Sequence, residues 1–174
     1  LYSMASGANT DIYKIPVAGG RPTRLTNTPG INVGGSFSPD GTKVVFESDR
    51  SGGQQIYVMN ADGSGQRRIS FGGGRYATPE WSPRGDLIAF TKIAGNFRVG
   101  VMDVNGSNER LLTNGWQDEA PIWSPNGRVL QFFRTAAGRS GNSSIWQVDL
   151  TGVNERKIVT PVDGSDPAWG PLLQ

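Results

Sequence analysis

The chain has 174 residues, 36% of them apolar, with 25 glycines and 11 prolines. That is a one-domain length with enough apolar content for a packed core, and its turn density predicts many short strands. Seventeen basic residues against fifteen acidic ones leave +2 spread along the chain, with Arg67-Arg68 the longest basic cluster, so there is no stripe to track nucleic acid. Cysteine and histidine are both absent, which removes disulfides, thiolate metal sites, a thiol nucleophile and a Ser-His-Asp triad. No stretch approaches the ~18 apolar residues of a membrane span.

In chain order, residues 1–29 carry Tyr2, Ile12-Tyr13 and Leu25, at the spacing of a repeat that is complete only further on. The first full copy, 30–74, predicts a strand ending at Phe37 and a turn at Asp40-Gly41. It continues with strands at Val44-Val45-Phe46 and Ile56-Tyr57-Val58-Met59, an Asp62-Gly63 turn, and a fourth strand at Ile69. Residues 75–116 repeat this with Trp81, Arg84-Gly85, Ile88-Ala89-Phe90, Val99-Gly100-Val101-Met102, Asn105-Gly106 and Leu112. Residues 117–164 do so again with Trp123, Asn126-Gly127, Leu130-Gln131-Phe132, Ile145-Trp146-Gln147-Val148, Thr151-Gly152 and Ile158. Residues 165–174 open one more copy at Trp169-Gly170-Pro171. Pro39, Pro83, Pro125 and Pro171 stand 44, 42 and 46 residues apart, and Gly35, Pro79, Pro121 and Pro167 precede each aromatic by two positions.

Four-stranded units at this period are the blades of a β-propeller, because a sheet apolar on both faces needs a neighbour on each side. The predicted fold is all-β: a β-propeller of four-stranded blades holding about four blades' worth of strands. Residues 1–29 supply strands two to four of an incomplete blade, and 165–174 supply a closing first strand. Phe37, Trp81, Trp123 and Trp169 are expected as wedges between blades, each burying ~150–250 Å². Unpaired blade edges predict self-association.

No catalytic residue, metal ligand set or cofactor site emerges. Asp118-Glu119 is a poor acid–base couple, since adjacent strand residues point to opposite faces. Gly72-Gly73-Gly74 reads as a connector, Asp40 and Asp62 as turn residues, and Ser48-Asp49-Arg50 as a polar turn without enough oxygen ligands for calcium. Asn105-Gly106-Ser107 and Asn142-Ser143-Ser144 are formal glycosylation acceptors, read as loops. The irregular connections gather on one side: strand two to three (51–54, 93–97, 136–143) and blade to blade (30–34, 73–77, 116–120, 162–166). Variable loops on a rigid scaffold carry recognition. Tyr76, Phe97, Trp116, Arg75 and Arg98 are the residue types that dominate interfaces.

Ser-Pro-Asp-Gly-Thr-Lys-Val-Val-Phe-Glu-Ser-Asp-Arg (Ser38 to Arg50), followed by Ile56-Tyr57-Val58-Met59, resembles the propeller repeat of the TolB family. The ending Asp166-Pro167-Ala168-Trp169-Gly170-Pro171-Leu172 resembles the end of that family's chains. The resemblance implies a periplasmic, non-catalytic scaffold of the Tol–Pal system, peripheral to the membrane only through its partners. Those are the lipoprotein Pal and other Tol proteins. It further implies an N-terminal α/β domain and a six-bladed propeller, so the chain is expected to be the C-terminal part of a longer protein. The Pal-facing positions it implies are Asn32, Val33, Arg75, Tyr76, Asp118, Glu119, Ser165 and Asp166. Propellers attached to serine peptidases carry a similar repeat, which leaves a substrate-gating propeller as the alternative, with a carbohydrate-binding propeller as a third reading.

Overall fold

The computed structural model describes residues 1–138 and 142–170, and these are all-β without a helix. Strands β1 (Tyr2–Ser6), β2 (Asn9–Lys14) and β3 (Thr23–Arg24) form a three-stranded antiparallel sheet. A four-stranded sheet follows from β4 (Asn32–Phe37), β5 (Lys43–Ser48), β6 (Gln55–Asn60) and β7 (Arg67–Arg68). The third sheet comprises β8 (Arg75–Trp81), β9 (Leu87–Ala94), β10 (Asn96–Asp103) and β11 (Arg110–Leu111). The fourth comprises β12 (Gln117–Trp123), β13 (Val129–Thr135), β14 (Ser143–Asp149) and β15 (Arg156–Lys157). A single parallel bridge, Phe97 to Gln117, joins the third sheet to the fourth.

The repeat is visible atom by atom. Each first hairpin turns on a glycine whose N–H donates to a serine carbonyl: Gly41 to Ser38, Gly85 to Ser82 and Gly127 to Ser124. These glycines sit at φ 69°, 78° and 65°, where a Cβ would be strained. At the other end, one hydroxyl in each of the first three sheets fastens the chain leaving the fourth strand to the third, whereas the fourth sheet has Val159 at that position. Ile12, Ile56 and Val99 donate their N–H groups to Thr26 Oγ1, Ser70 Oγ and Thr113 Oγ1 at 2.9, 2.9 and 3.0 Å.

Consecutive sheets stack face to face, β4 on β1 and β2, β8 on β4 to β6, and β12 on β8 and β9. Alternation along the second strand divides its side chains between the two interfaces. Val44 and Phe46 join Ile12 and Leu25 in the core between sheets one and two. Val45 instead joins Tyr76, Trp81, Ile88 and Phe90 between sheets two and three. Ala89 of β9 continues the pattern, packing with Trp123, Leu130 and Phe132 between sheets three and four. This explains why the apolar runs look continuous: both faces are covered.

Two of the four expected wedges hold. Trp81 and Trp123 are each 7% exposed, and Trp123 Nε1 donates to the Glu80 carbonyl of the preceding sheet at 3.1 Å. Trp81 Nε1 is buried without an acceptor among the described residues. Phe37 and Trp169 are 41% and 37% exposed, a correction to the expectation of burial. Phe37 has no first strand ahead of it to wedge against, since the first sheet begins at β1. Trp169 lies in a segment with no strand assignment.

That segment was expected as a closing strand. Among the described residues, 165–170 form no strand and β1 pairs only with β2, so closure of the sheets through this end is not formed. The local conformation is nevertheless that of a first strand. Each first strand carries a bulge, and the residue in it is left-handed: Gly34 (φ 64°), Thr78 (46°) and Ala120 (52°), with Asp166 (48°) in the same place. In the third and fourth sheets the preceding sheet satisfies that residue's N–H. Glu47 Oε2 accepts from Thr78 N (3.1 Å), and Thr91 Oγ1 accepts from Ala120 N (3.2 Å). The equivalent of Glu47 and Thr91 is Phe133, which has no acceptor to hold Asp166. Residues 171–174, the rest of the expected strand, and 139–141 of the expected 136–143 loop lie outside the described residues.

Candidate partner-binding rim

Antiparallel order within each sheet puts the β5–β6, β9–β10 and sheet-to-sheet connections on one rim and the glycine hairpins on the other. The irregular rim holds the residues singled out in the sequence, and burial divides them into two groups.

Asn32, Tyr76 and Asp118 are fully buried, so their side chains have no surface to offer a partner. They are equivalent first-strand positions, directly opposite Ser48, Lys92 and Arg134 in register. Each sits in a clamp that ties the first strand to the second and to the residue entering the fourth. In sheet two, Arg50 donates to Asn32 Oδ1 (2.7 Å) and Gln66 Oε1 (2.6 Å), with its guanidinium 4.8 Å from the Tyr57 ring centre. In sheet three, Tyr76 Oη and Lys92 Nζ both donate to Glu109, at 2.6 and 2.5 Å. In sheet four, Arg134 donates from Nε and Nη2 to the two Asp118 oxygens (2.5 and 2.8 Å) and from Nη1 to Glu155 (2.6 Å). Burial works against the Arg134 charge, but Asp118 and Glu155 more than offset it, so its pKa is raised. These three expected contacts are therefore corrected to structural clamps. The chain alternates at each strand start, and the repeat could not say which neighbour pointed inward.

The remaining candidates reach solvent. Arg75 is exposed and donates to Gln54 Oε1 (3.1 Å), whose own Nε2 donates to Glu47 Oε1 (2.6 Å). Trp116 is 51% exposed, and its carbonyl accepts the N–H of part-exposed Phe97 at 3.0 Å. Val33, Arg98 and Glu119 are part-exposed, while Ser165 and Asp166 are exposed, with Ser165 Oγ donating to Asp166 Oδ2 (2.8 Å). Sequence reasoning missed Phe71, 73% exposed, with the Arg68 guanidinium 5.3 Å from its ring centre. The signal was available: two residues past the fourth-strand anchor, the other copies hold Asn27, Asn114 and Thr160, so the repeat does not require phenylalanine there. The first-strand bulges line a groove of about 260 Å³ built from Gly34, Gly35, Thr78, Pro79, Ala120 and Pro121.

Three carboxyls along the first and second strands sit above their ordinary value of 4.5 because burial disfavours the charge: Glu47, Glu80 and Glu119, the last also facing Asp166. A raised folded-state pKa means the fold binds the proton more tightly than the unfolded chain does. The ionised groups therefore cost stability at neutral pH, and that cost is relieved as pH falls through the raised values. Asp40, Asp62 and Asp149 lie below 3.8, held by hydrogen bonds from their own turns, and act in the opposite sense at lower pH. Thermal unfolding should thus show a maximum on the acid side of neutrality, falling again below about pH 4. Glu80→Gln should flatten the rise between pH 7 and the maximum. An unchanged profile in that variant would remove Glu80 from the explanation.

Among the described residues no three His, Cys, Asp or Glu side chains gather as a metal site. What the rim offers is exposed aromatic and guanidinium groups on a rigid base. Four-stranded sheets stacked in sequence, first strand to preceding sheet, define a β-propeller, here with about four blades' worth of strands. The TolB β-propeller domain profile matches residues 1–173, and the chain belongs to that family. It is 70% identical over 84 residues to the Tol-Pal system protein TolB of Rhizorhabdus wittichii, an overlap of 48% of this chain and 19% of that protein. It superposes on the crystal structure of TolB from Acinetobacter baumannii with a TM-score of 0.81 at 27% identity, over 92% of this chain and 40% of that one. A putative TolB from Agrobacterium tumefaciens gives 0.80 at 27% identity, over 90% and 59%. The matched stretch thus spans about a fifth of the length of the curated relatives.

Proposed function

We propose that the chain acts in the periplasm as a non-catalytic scaffold of the Tol–Pal system, docking the lipoprotein Pal on its irregular rim. The observation that carries this reading is the presence on one rim of stacked sheets of two large exposed aromatics, Phe71 and Trp116, the first with the Arg68 guanidinium against its ring, together with the exposed Arg75. Aromatic and arginine side chains are the usual anchors of protein interfaces, and a rigid base lowers the entropy lost on docking. Membership of the TolB propeller family and likeness to proteins named for the Tol–Pal system support the choice of partner. The remaining blades of a six-bladed ring, and other Tol proteins as further partners, belong to the same proposal.

The test is calorimetric titration with the soluble domain of Pal. Binding is expected, and Phe71→Ala and Trp116→Ala should each weaken it by more than about 1 kcal/mol. Asp149→Asn, in a glycine hairpin on the opposite rim where Asp149 accepts from Thr151 and Asn154, should leave the affinity intact. Absence of binding, or full affinity in both aromatic variants, would overturn the proposal.

A further inference from the structure

The glycine-hairpin rim, opposite the docking rim, carries a cleft of about 410 Å³ between the second and third sheets. Its apolar side is Val58, Trp81 and Val104, the first two buried. Around these stand Lys43 and Arg67 of the second sheet and Arg84 of the third. Arg67 makes no ion pair among the described residues, Lys43 reaches only the neutral Asn60 (3.1 Å), and Arg84 meets the exposed Asp86 at 3.3 Å. The single acid in the lining, Asp40, is held within its own turn, where it accepts Ser38 Oγ and the Thr42 N–H at 2.5 and 3.0 Å.

The cleft exists at this junction for a reason that can be read from the next one. Between sheets three and four the position equivalent to Asp40 is Arg84, whose stem lies against Gly127, so close that a Cβ there would meet Arg84 Cγ and Cδ at 2.8 Å. The equivalent glycine at the open junction, Gly85, has only Pro39 nearby, at 3.9 Å. A long side chain fills one junction, and a short one folded into its own turn leaves the other vacant. The vacancy falls within the size range of small recognition pockets. An apolar floor beneath cations from both walls fits a group that is apolar at its centre and anionic at its edges.

We infer that this cleft binds an acidic peptide segment of a partner protein, seating one aliphatic side chain on Val58, Trp81 and Val104 with flanking carboxylates at Lys43, Arg67 and Arg84. A peptide is favoured over a compact anion because the cations come from two sheets on either side of an apolar floor. One carboxylate at either wall would leave the floor wet and the other wall unpaired.

The test is anisotropy titration of the 174-residue chain with a labelled Asp-Asp-Leu-Asp-Asp peptide at low ionic strength. Controls are Asp-Asp-Ser-Asp-Asp and Asn-Asn-Leu-Asn-Asn, and folding of each variant is checked by thermal melting. The leucine-centred acidic peptide is expected to bind at least ten-fold more tightly than either control. Arg67→Glu should cost ten-fold. Asp40→Arg, which adds a positive charge but places an arginine stem where Arg84 stands at the next junction, should also weaken binding. Tighter binding in Asp40→Arg would mean that charge alone attracts the peptide and would overturn the cleft. Equal affinity for the serine control, or no binding at all, would do the same. Phe71→Ala should have no effect, which separates failure here from failure at the opposite rim.

Discussion

Arg134→Ala is expected to destabilise the fold by about 3–5 kcal/mol, because it leaves the fully buried Asp118 carboxylate without its counter-charge. The Arg134 side chain is itself only 17% exposed, so solvent screening offsets little of that loss. The variant also removes the guanidinium stacked 4.3 Å from the Trp146 ring centre and leaves Glu155 unpaired. Urea denaturation monitored by tryptophan fluorescence reads the change directly. Replacing both partners, Arg134→Met with Asp118→Leu, should recover most of the stability, since a buried ion pair contributes little over well-packed apolar groups of similar volume. A loss below about 1 kcal/mol in Arg134→Ala would place the pair among ordinary surface ion pairs.

The second large effect concerns how one blade meets the next. In the hairpin between third and fourth strands, one glycine per sheet lies against the carbonyl of the fourth-strand anchor in the sheet before it. Gly63 faces Leu25, Gly106 faces Ile69 and Gly152 faces Leu112. A Cβ on Gly106 would overlap the Ile69 carbonyl oxygen, one on Gly63 would sit 2.6 Å from the Leu25 oxygen, and one on Gly152 would have 3.2 Å. All three are left-handed, at φ 93°, 91° and 74°, so each alanine variant bears the backbone cost of roughly 1–2 kcal/mol. Gly106→Ala adds displacement of the neighbouring sheet, and its total loss should reach about 3–5 kcal/mol, with Gly63→Ala intermediate and Gly152→Ala near the backbone cost alone. Differential scanning calorimetry of the three variants would show this order. Equal losses in all three would mean that backbone strain, not the approach of the sheets, explains the glycines.

Sequence reading at the rim failed in two ways. Tyr76 was read as an interface residue from its type and Asp118 as a contact from the family resemblance, but cross-strand register turned both inward onto Lys92 and Arg134. Phe71 was passed over because it lies past the fourth-strand anchor of its copy, at a position the repeat does not fix, although its departure from the other copies was the useful sign. Trp81 and Trp123 were correctly read as wedges from their recurrence alone, whereas Phe37, with no first strand in the sheet before it, and Trp169, in a segment without a strand, are exposed.

What the residue order determined by itself is the blade: the period, the glycine turns and the second-strand apolar runs are local, and local chemistry specifies them without reference to neighbours. Only the tertiary structure decided which side chains the blades share and which they leave to solvent. The clamps, the bulge contacts of Glu47 and Thr91, and the vacant junction beside Asp40 all join residues from different strands or sheets. Their contacts depend on register and stacking distance, quantities that a repeat pattern does not contain.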